Sequence, residues 1–162
     1  MTLHGTRLTL EPITPELARR IVERDERPGD AWHVEYPFAD ELAPLRSLGA
    51  TPGPRVDTVF GLFVIRRLAD GLAVGGLGFF GRPDEEGRVE FGYGLVPSAR
   101  GAGLATEAVT LALEHARRHG ARTAVADTEV ANAASRRVLE KSGLTETGRR
   151  GSLVLYERDL SL

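Results

Sequence analysis

At 162 residues, 41% of them apolar and 27% charged, the chain has the length and balance of one globular domain spanning residues 1–162. It has no cysteine, which excludes disulfides, thiolate metal sites and cysteine nucleophiles. A net charge of -2 without a basic stripe gives no case for nucleic acid, and no apolar run approaches the ~20 residues of a membrane span. Met1 to Glu11 alternates and carries charge, unlike a signal or transit peptide, so the expected setting is cytoplasmic, away from membranes. Lys141 is the single lysine among 21 basic residues, and the arginine, alanine and glycine excess reads as coding bias before function.

In chain order, Arg7 to Glu11 alternates like a short strand that Pro12 ends. Pro15 to Glu26 reads as a helix with Thr14 as N-cap and proline at its first position. Arg27 to Asp57 holds Trp32, Tyr36 and Phe38 among five prolines, which predicts loops and a short irregular helix. Thr58 to Arg66 is nearly all apolar, as a strand covered on both faces would be. Asp70-Gly71 marks a turn into a second strand, Ala73 to Phe80. A polar loop, Gly81 to Gly87, leads to a third, Arg88 to Val96. On that strand Val89, Phe91, Tyr93 and Leu95 share one face, and Glu90, Gly92 and Gly94 the other.

The longest helix is expected from Leu104 to His119, with an apolar stripe through Leu104, Ala108, Leu111, Ala112 and Ala116 and a stop at Gly120. Arg122 to Asp127 returns as a strand. Asn132 or a neighbour caps a second helix, Ala133 to Ser142, and Thr145 to Arg149 with Leu153 to Leu160 read as a closing antiparallel pair. The resulting order is β-α-α-βββ-α-β-α-ββ, a mixed α/β sheet.

The stretch VPSARGAGLATEA, Val96 to Ala108, joins a strand to a helix and carries the chemistry. Gly101 and Gly103 lack a β-carbon, so the backbone can bend tightly and approach a ligand. Ala105 keeps the first helical turn open. The first amides of a helix have no internal partners and sit at the positive end of its dipole, so a pyrophosphate suits them. The dipole contributes only about 0.3 to 2 kcal/mol, so several charge-assisted bonds must act together, with Thr106 adding a hydroxyl. A dinucleotide fingerprint fails because its third glycine position is Thr106, and a Walker loop lacks its Lys-Ser/Thr pair. On this segment alone, a plain glycine turn stays open.

A second segment, Asn132-Ala-Ala-Ser135-Arg-Arg-Val138-Leu139-Glu140-Lys141-Ser-Gly143-Leu144, follows one strand later. Together the two segments resemble the GCN5-related N-acetyltransferase (GNAT) superfamily. Arg100, Gly103 and Ala105 match its pyrophosphate signature. The N-x-x-S-x-x-V-L-E-K-x-G pattern, GTRLTLEPIT near the start and VEFGYGLVP before the loop look like its ribosomal-protein-alanine acetyltransferase branch. The resemblance spans nearly the whole chain in the right order.

The resemblance implies a mixed, mostly antiparallel sheet with a splayed parallel strand pair flanked by helices, and acetyl-coenzyme A as acyl donor, without metal. Backbone groups of Leu95 and Val96 would hold the pantetheine arm and an oxyanion. Amides of Arg100, Gly101, Ala102, Gly103, Leu104, Ala105 and Thr106 would hold the pyrophosphate. Asn132 would reach the pantetheine, or serve only as a helix cap.

Attack needs a neutral amine. At pH 7 roughly a tenth of free α-amines are neutral, against about one lysine side chain in 2,500. Glu90 is the candidate base, directly or through a water, against the alternative of a polar residue on a wet sheet face. The superfamily's frequent tyrosine acid falls at Leu139, so the branch resemblance points to Ser135 as acid or as a cofactor-positioning group; Tyr93 and Tyr156 are weaker candidates.

Acceptor specificity is expected from Trp32 to Phe38, where Trp32, Tyr36 and Phe38 beside Glu35 suit a cationic amine or plain packing, and from the Gly81–Gly87 loop. His115 and His119 at i, i+4 spacing read as solvated or capping residues, not a metal site. The branch resemblance implies a peptide or protein N-terminus as the acceptor amine, with a small amine (amino acid, polyamine or antibiotic) or a non-catalytic coenzyme A sensor as alternatives. A homodimer is left open.

Overall fold

The computed structural model describes residues 1–161. The strands are β1 (Leu3–His4), β2 (Leu8–Pro12), β3 (Leu62–Arg67), β4 (Ala73–Phe79), β5 (Arg88–Leu95), β6 (Thr123–Glu129), β7 (Thr145–Arg150) and β8 (Leu153–Asp159). The helices are α1 (Pro15–Glu23), α2 (Leu42–Gly49), α3 (Leu104–Arg118) and α4 (Ala133–Lys141). The strands form one sheet in the spatial order β1-β2-β3-β4-β5-β6-β8-β7. Every neighbouring pair is antiparallel except β5 and β6.

Local chemistry sets the element boundaries. Thr14 caps α1 by accepting the Leu17 N–H at 3.1 Å. The helix stops three residues short of Glu26, because Arg24 turns left-handed (φ 58°) and its N–H closes onto the carbonyls of Arg20 and Ile21. β3 begins at Leu62 instead of Thr58. The Asp57 carboxylate accepts the N–H groups of Val59 and Phe60 at 2.9 and 2.8 Å and holds Thr58 to Phe60 in a turn. Within the 27–57 stretch, a single turn at Ala39–Glu41 runs directly into α2. Two-residue β1, pairing Leu3 with Leu10, is too short to leave a pattern in the sequence.

β4 is buried along its whole length. On one face, Phe63 and Phe79 pack edge-on to each other and against His115 of α3. His115 is therefore buried instead of solvated; its Nε2 meets the Val59 carbonyl at 2.8 Å, and burial pushes its pKa down. On the other face, Gly76 pairs with Gly94 and Gly78 with Gly92, leaving a patch of sheet without side chains. The turn before α2 covers that patch.

The parallel pairing of β5 with β6 covers only Arg88 to Glu90 against Thr123 to Val125. Both strands continue past it, so they part from Phe91 onward. Val96 N–H bonds to Val74 and Phe80 N–H to Glu90, so even-numbered residues of β5 face β4. By the alternation of an antiparallel ladder, the main-chain groups of Tyr93 and Leu95 turn into the opening.

Candidate active site

β5 leaves the sheet at Leu95, makes a single turn over Pro97–Ala99 and enters α3 through Arg100 to Gly103. Gly101 and Gly103 both take positive φ (84° and 82°), a conformation that L side chains rarely adopt. The turn satisfies the Ala99 and Arg100 amides on Val96 and Pro97. After that no protein acceptor is reached. The amides of Gly101, Ala102, Gly103, Leu104, Ala105 and Thr106 donate to no other group among the described residues, and α3 makes its first bond from Glu107 to Gly103. Six successive donors at the start of a 15-residue helix form an anion cradle.

Two side chains brace this loop. The Arg100 Nε donates to the Leu95 carbonyl at 3.0 Å, and its guanidinium lies 4.8 Å over the Phe38 ring. Arg7, from the connection before β2, donates to the Ala102 carbonyl at 2.6 Å and pairs with Glu107 in the first turn of α3. The sequence pattern did not single out Arg7, because its partners Ala102 and Glu107 lie 95 and 100 residues away along the chain.

The cradle opens into a cavity of about 460 Å³. Leu95, Arg100, Gly101, Gly103, Leu104 and Ala105 line it from the loop side, with Thr106; Asn132 and Ser135 line it from α4. Val96 and Ala102 do not line it. Val96 is fully buried, and Ala102 presents its carbonyl to Arg7. Arg137 and Lys141, four residues apart on α4, add cationic walls that the motif reading passed over. Asn132 caps α4 through the Ser135 N–H at 3.0 Å, which uses its side-chain oxygen and leaves its amide nitrogen for another partner. The Tyr93 hydroxyl reaches the Ser135 Oγ at 2.9 Å.

A second cavity, of about 220 Å³, lies over the bare glycine patch. Its floor is Gly76, Gly78, Gly92 and Gly94, and Glu41 and Phe80 stand at its walls. A β-carbon at Gly76 would overlap the Glu41 carboxylate, and one at Gly78 would overlap Leu62. The two cavities share Asp40, Tyr93 and Gly94, so they meet where β5 parts from β6.

Of the remaining sequence candidates, all but Phe38 lie outside both cavities. Glu90 is exposed beside Val125, outside the lining of either cavity. Trp32 is half-buried 6.1 Å from the Tyr36 ring, Tyr36 is buried, and neither lines a cavity. Glu35 bonds the Ser98 hydroxyl, which holds its carboxyl below the usual range. Phe38 alone of that group lines a cavity, the one beside the cradle. Among the described residues, no group of three His, Cys, Asp or Glu side chains is placed to hold a metal, and no helix is long and apolar enough to cross a membrane.

A mixed sheet split at one parallel pair, with a free amide cradle beside the split, defines an acyl-coenzyme A transferase architecture. The family model described as an acetyltransferase (GNAT) domain matches residues 7–145, and the chain belongs to that family of acetyl-coenzyme A-dependent N-acetyltransferases. Similar solved structures include a GNAT-family acetyltransferase from Bacillus anthracis, 17% identical over 100% of both chains with a TM-score of 0.70. RimL, a ribosomal L7/L12 α-N-protein acetyltransferase in complex with coenzyme A, is 17% identical over 98% of each chain, with a TM-score of 0.68. A spermidine N-acetyltransferase SpeG chimera from Vibrio cholerae and hSSAT is 18% identical over 96% of this chain and 97% of that one, with a TM-score of 0.67. At these identities the likeness is one of fold. No curated protein matches the chain in sequence.

Proposed function

We propose that this acetyltransferase acetylates a primary amine by direct attack in a ternary complex, with a peptide or protein N-terminal α-amine as the favoured acceptor. The observation that carries the reading is the meeting of the two cavities at Tyr93 and Gly94. A donor held by the cradle and an acceptor over the glycine floor would place their reacting ends at one opening, with no covalent enzyme intermediate required.

The free amides from Gly101 to Thr106 fit a pyrophosphate, and Arg137 and Lys141 fit further phosphate charge. Main-chain groups of Leu95 and the Asn132 side-chain amide would hold the pantetheine arm. When bound, acetyl-coenzyme A supplies the activated thioester. The protein's part is to orient it, exclude water and manage protons. Tyr93 and Ser135 form the hydroxyl pair able to return a proton to the departing sulfur.

An α-amine is favoured because about a tenth of it is already neutral at pH 7. RimL, named for an α-N-protein activity, shares the fold. The SpeG chimera keeps a small polyamine as the second reading. Mass spectrometry of a peptide and small-amine panel incubated with acetyl-coenzyme A tests the proposal. A gain of one acetyl group on N-terminal α-amines supports it. Acetylation confined to small amines supports the second reading, and no acetylated amine in the panel contradicts both.

A further inference from the structure

We propose that Glu41 is the general base of the acceptor cavity, taking the proton from an acceptor ammonium that rests on the glycine floor. The inference deepens the acetyl-transfer reading above and rests on it. Glu41 ends the turn that precedes α2, and its Oε2 accepts the Phe38 N–H at 3.0 Å, which fixes the side chain. Its Oε1 lies over Gly76, in space that a β-carbon would occupy. Gly76 is the ladder partner of Gly94, about 5.5 Å across the sheet, and Leu95 follows at the mouth of the cradle. The carboxylate thus stands one strand away from the opening where the thioester would lie.

The rest of the cavity wall is mostly apolar, with Ile13, Leu45, Leu62 and Phe63. In such a wall a carboxylate costs solvation free energy unless a cation answers it. Burial pushes the Glu41 carboxyl up to about 7, with Asp40 adding to the rise and the Phe38 N–H opposing it. Asp40, on the same turn, is the other carboxylate of the lining. From β5, the Tyr93 hydroxyl is engaged by Ser135. The buried Tyr36 hydroxyl feels the Glu41 charge, and Arg66 of β3 is bonded to Glu11 and to the carbonyls of Asp30 and Gly71. An acceptor ammonium would supply the missing countercharge and then its proton.

The step balances. One proton passes from the ammonium to Glu41 and on to solvent. The neutral nitrogen forms the N–C bond to the thioester carbonyl, and the C–S bond breaks. The second proton shed by nitrogen matches the one the sulfur acquires, so the products are the amide and the free thiol.

Glu41→Gln keeps an oxygen for the Phe38 N–H while removing the proton acceptor. With n-butylamine as probe, carboxyl-carbon NMR of the wild-type protein is expected to show the resonance missing from E41Q titrating near pH 7. Adding the amine should lower that midpoint by about one pH unit, as an adjacent cation does. Turnover of n-butylamine by E41Q should fall about 100-fold at pH 7, and its kcat/KM profile, which reports the free enzyme, should lose the limb near 7, with acetyl-coenzyme A affinity within about twofold of wild type. A Glu41 carboxyl indifferent to the amine overturns the proposal, as does a turnover loss that follows Glu90→Gln and spares E41Q. Absent acetyl-coenzyme A binding in calorimetry would strike the acetyl-transfer reading instead, while the amine titration still decides the role of Glu41.

Discussion

The hydroxyl of Tyr93 lies 2.9 Å from the Oγ of Ser135 and 3.2 Å from its carbonyl oxygen, tying the splayed edge of β5 to the first turn of α4. Burial raises the Tyr93 pKa, more than the Ser135 bond lowers it, so the phenol stays protonated at neutral pH. A neutral hydroxyl pair at the cavity junction suits a leaving thiolate. Tyr93→Phe and Ser135→Ala are each expected to lower kcat about tenfold with acetyl-coenzyme A affinity nearly unchanged, and the double variant to lose no more than the larger single loss. Steady-state kinetics and calorimetry check this, and multiplicative losses would separate the two hydroxyls.

Gly103 caps α3 at φ 82°, with the Arg7 guanidinium close to where a β-carbon would project. Gly103→Val combines backbone strain with a branched group in the cradle. It is expected to weaken acetyl-coenzyme A binding by about tenfold or more in a protein that still folds by circular dichroism. Unchanged affinity in the folded variant would remove the loop from the donor site.

Arg7 holds the loop from outside, on the Ala102 carbonyl and Glu107. Arg7→Ala should raise the acetyl-coenzyme A Kd by about fivefold and leave kcat at saturation unchanged, because a loosened cradle loses ordering before it loses chemistry. A kcat effect at saturating donor would place Arg7 nearer the reacting atoms than the structure does.

Glu41 also makes the stability of the fold depend on pH. Its carboxyl rises from the ordinary 4.5 to about 7, so between those values the folded chain holds more protons than the unfolded one. Stability therefore declines as pH rises through that window, by up to about 3 kcal/mol, and the loss is complete above 7. E41Q escapes it. Thermal melts should show E41Q gaining several degrees over wild type at pH 8 relative to the same comparison at pH 4.5, at roughly 2–4 °C per kcal/mol. An equal difference at both pH values would mean that Glu41 is not desolvated.

The cradle was legible because its determinants are contiguous: two glycines, a helix start and a small first turn within Arg100 to Thr106. The same holds for most elements, whose caps and periodicities are local. The acceptor cavity was not legible in that way. Its floor joins two strands through a ladder, and its carboxylate comes from a turn in the proline-rich stretch, so Glu41 looked like one acid among many. The glycines at alternate positions, 76 and 78 and then 92 and 94, were the available signal. WHVEYPF drew attention through its aromatics, yet Trp32 and Tyr36 pack inward, and Glu35 is taken by Ser98. The α1 and β3 boundaries moved because Arg24 and Asp57 end or delay an element through cap and turn geometry that hydrophobic pattern does not encode.

The amide resonances of Gly101 to Thr106 test the central claim most directly. In a nitrogen-15 NMR titration with acetyl-coenzyme A, these six should show the largest shifts in the protein. Saturable binding of acetyl-coenzyme A with those six signals unmoved would contradict the account.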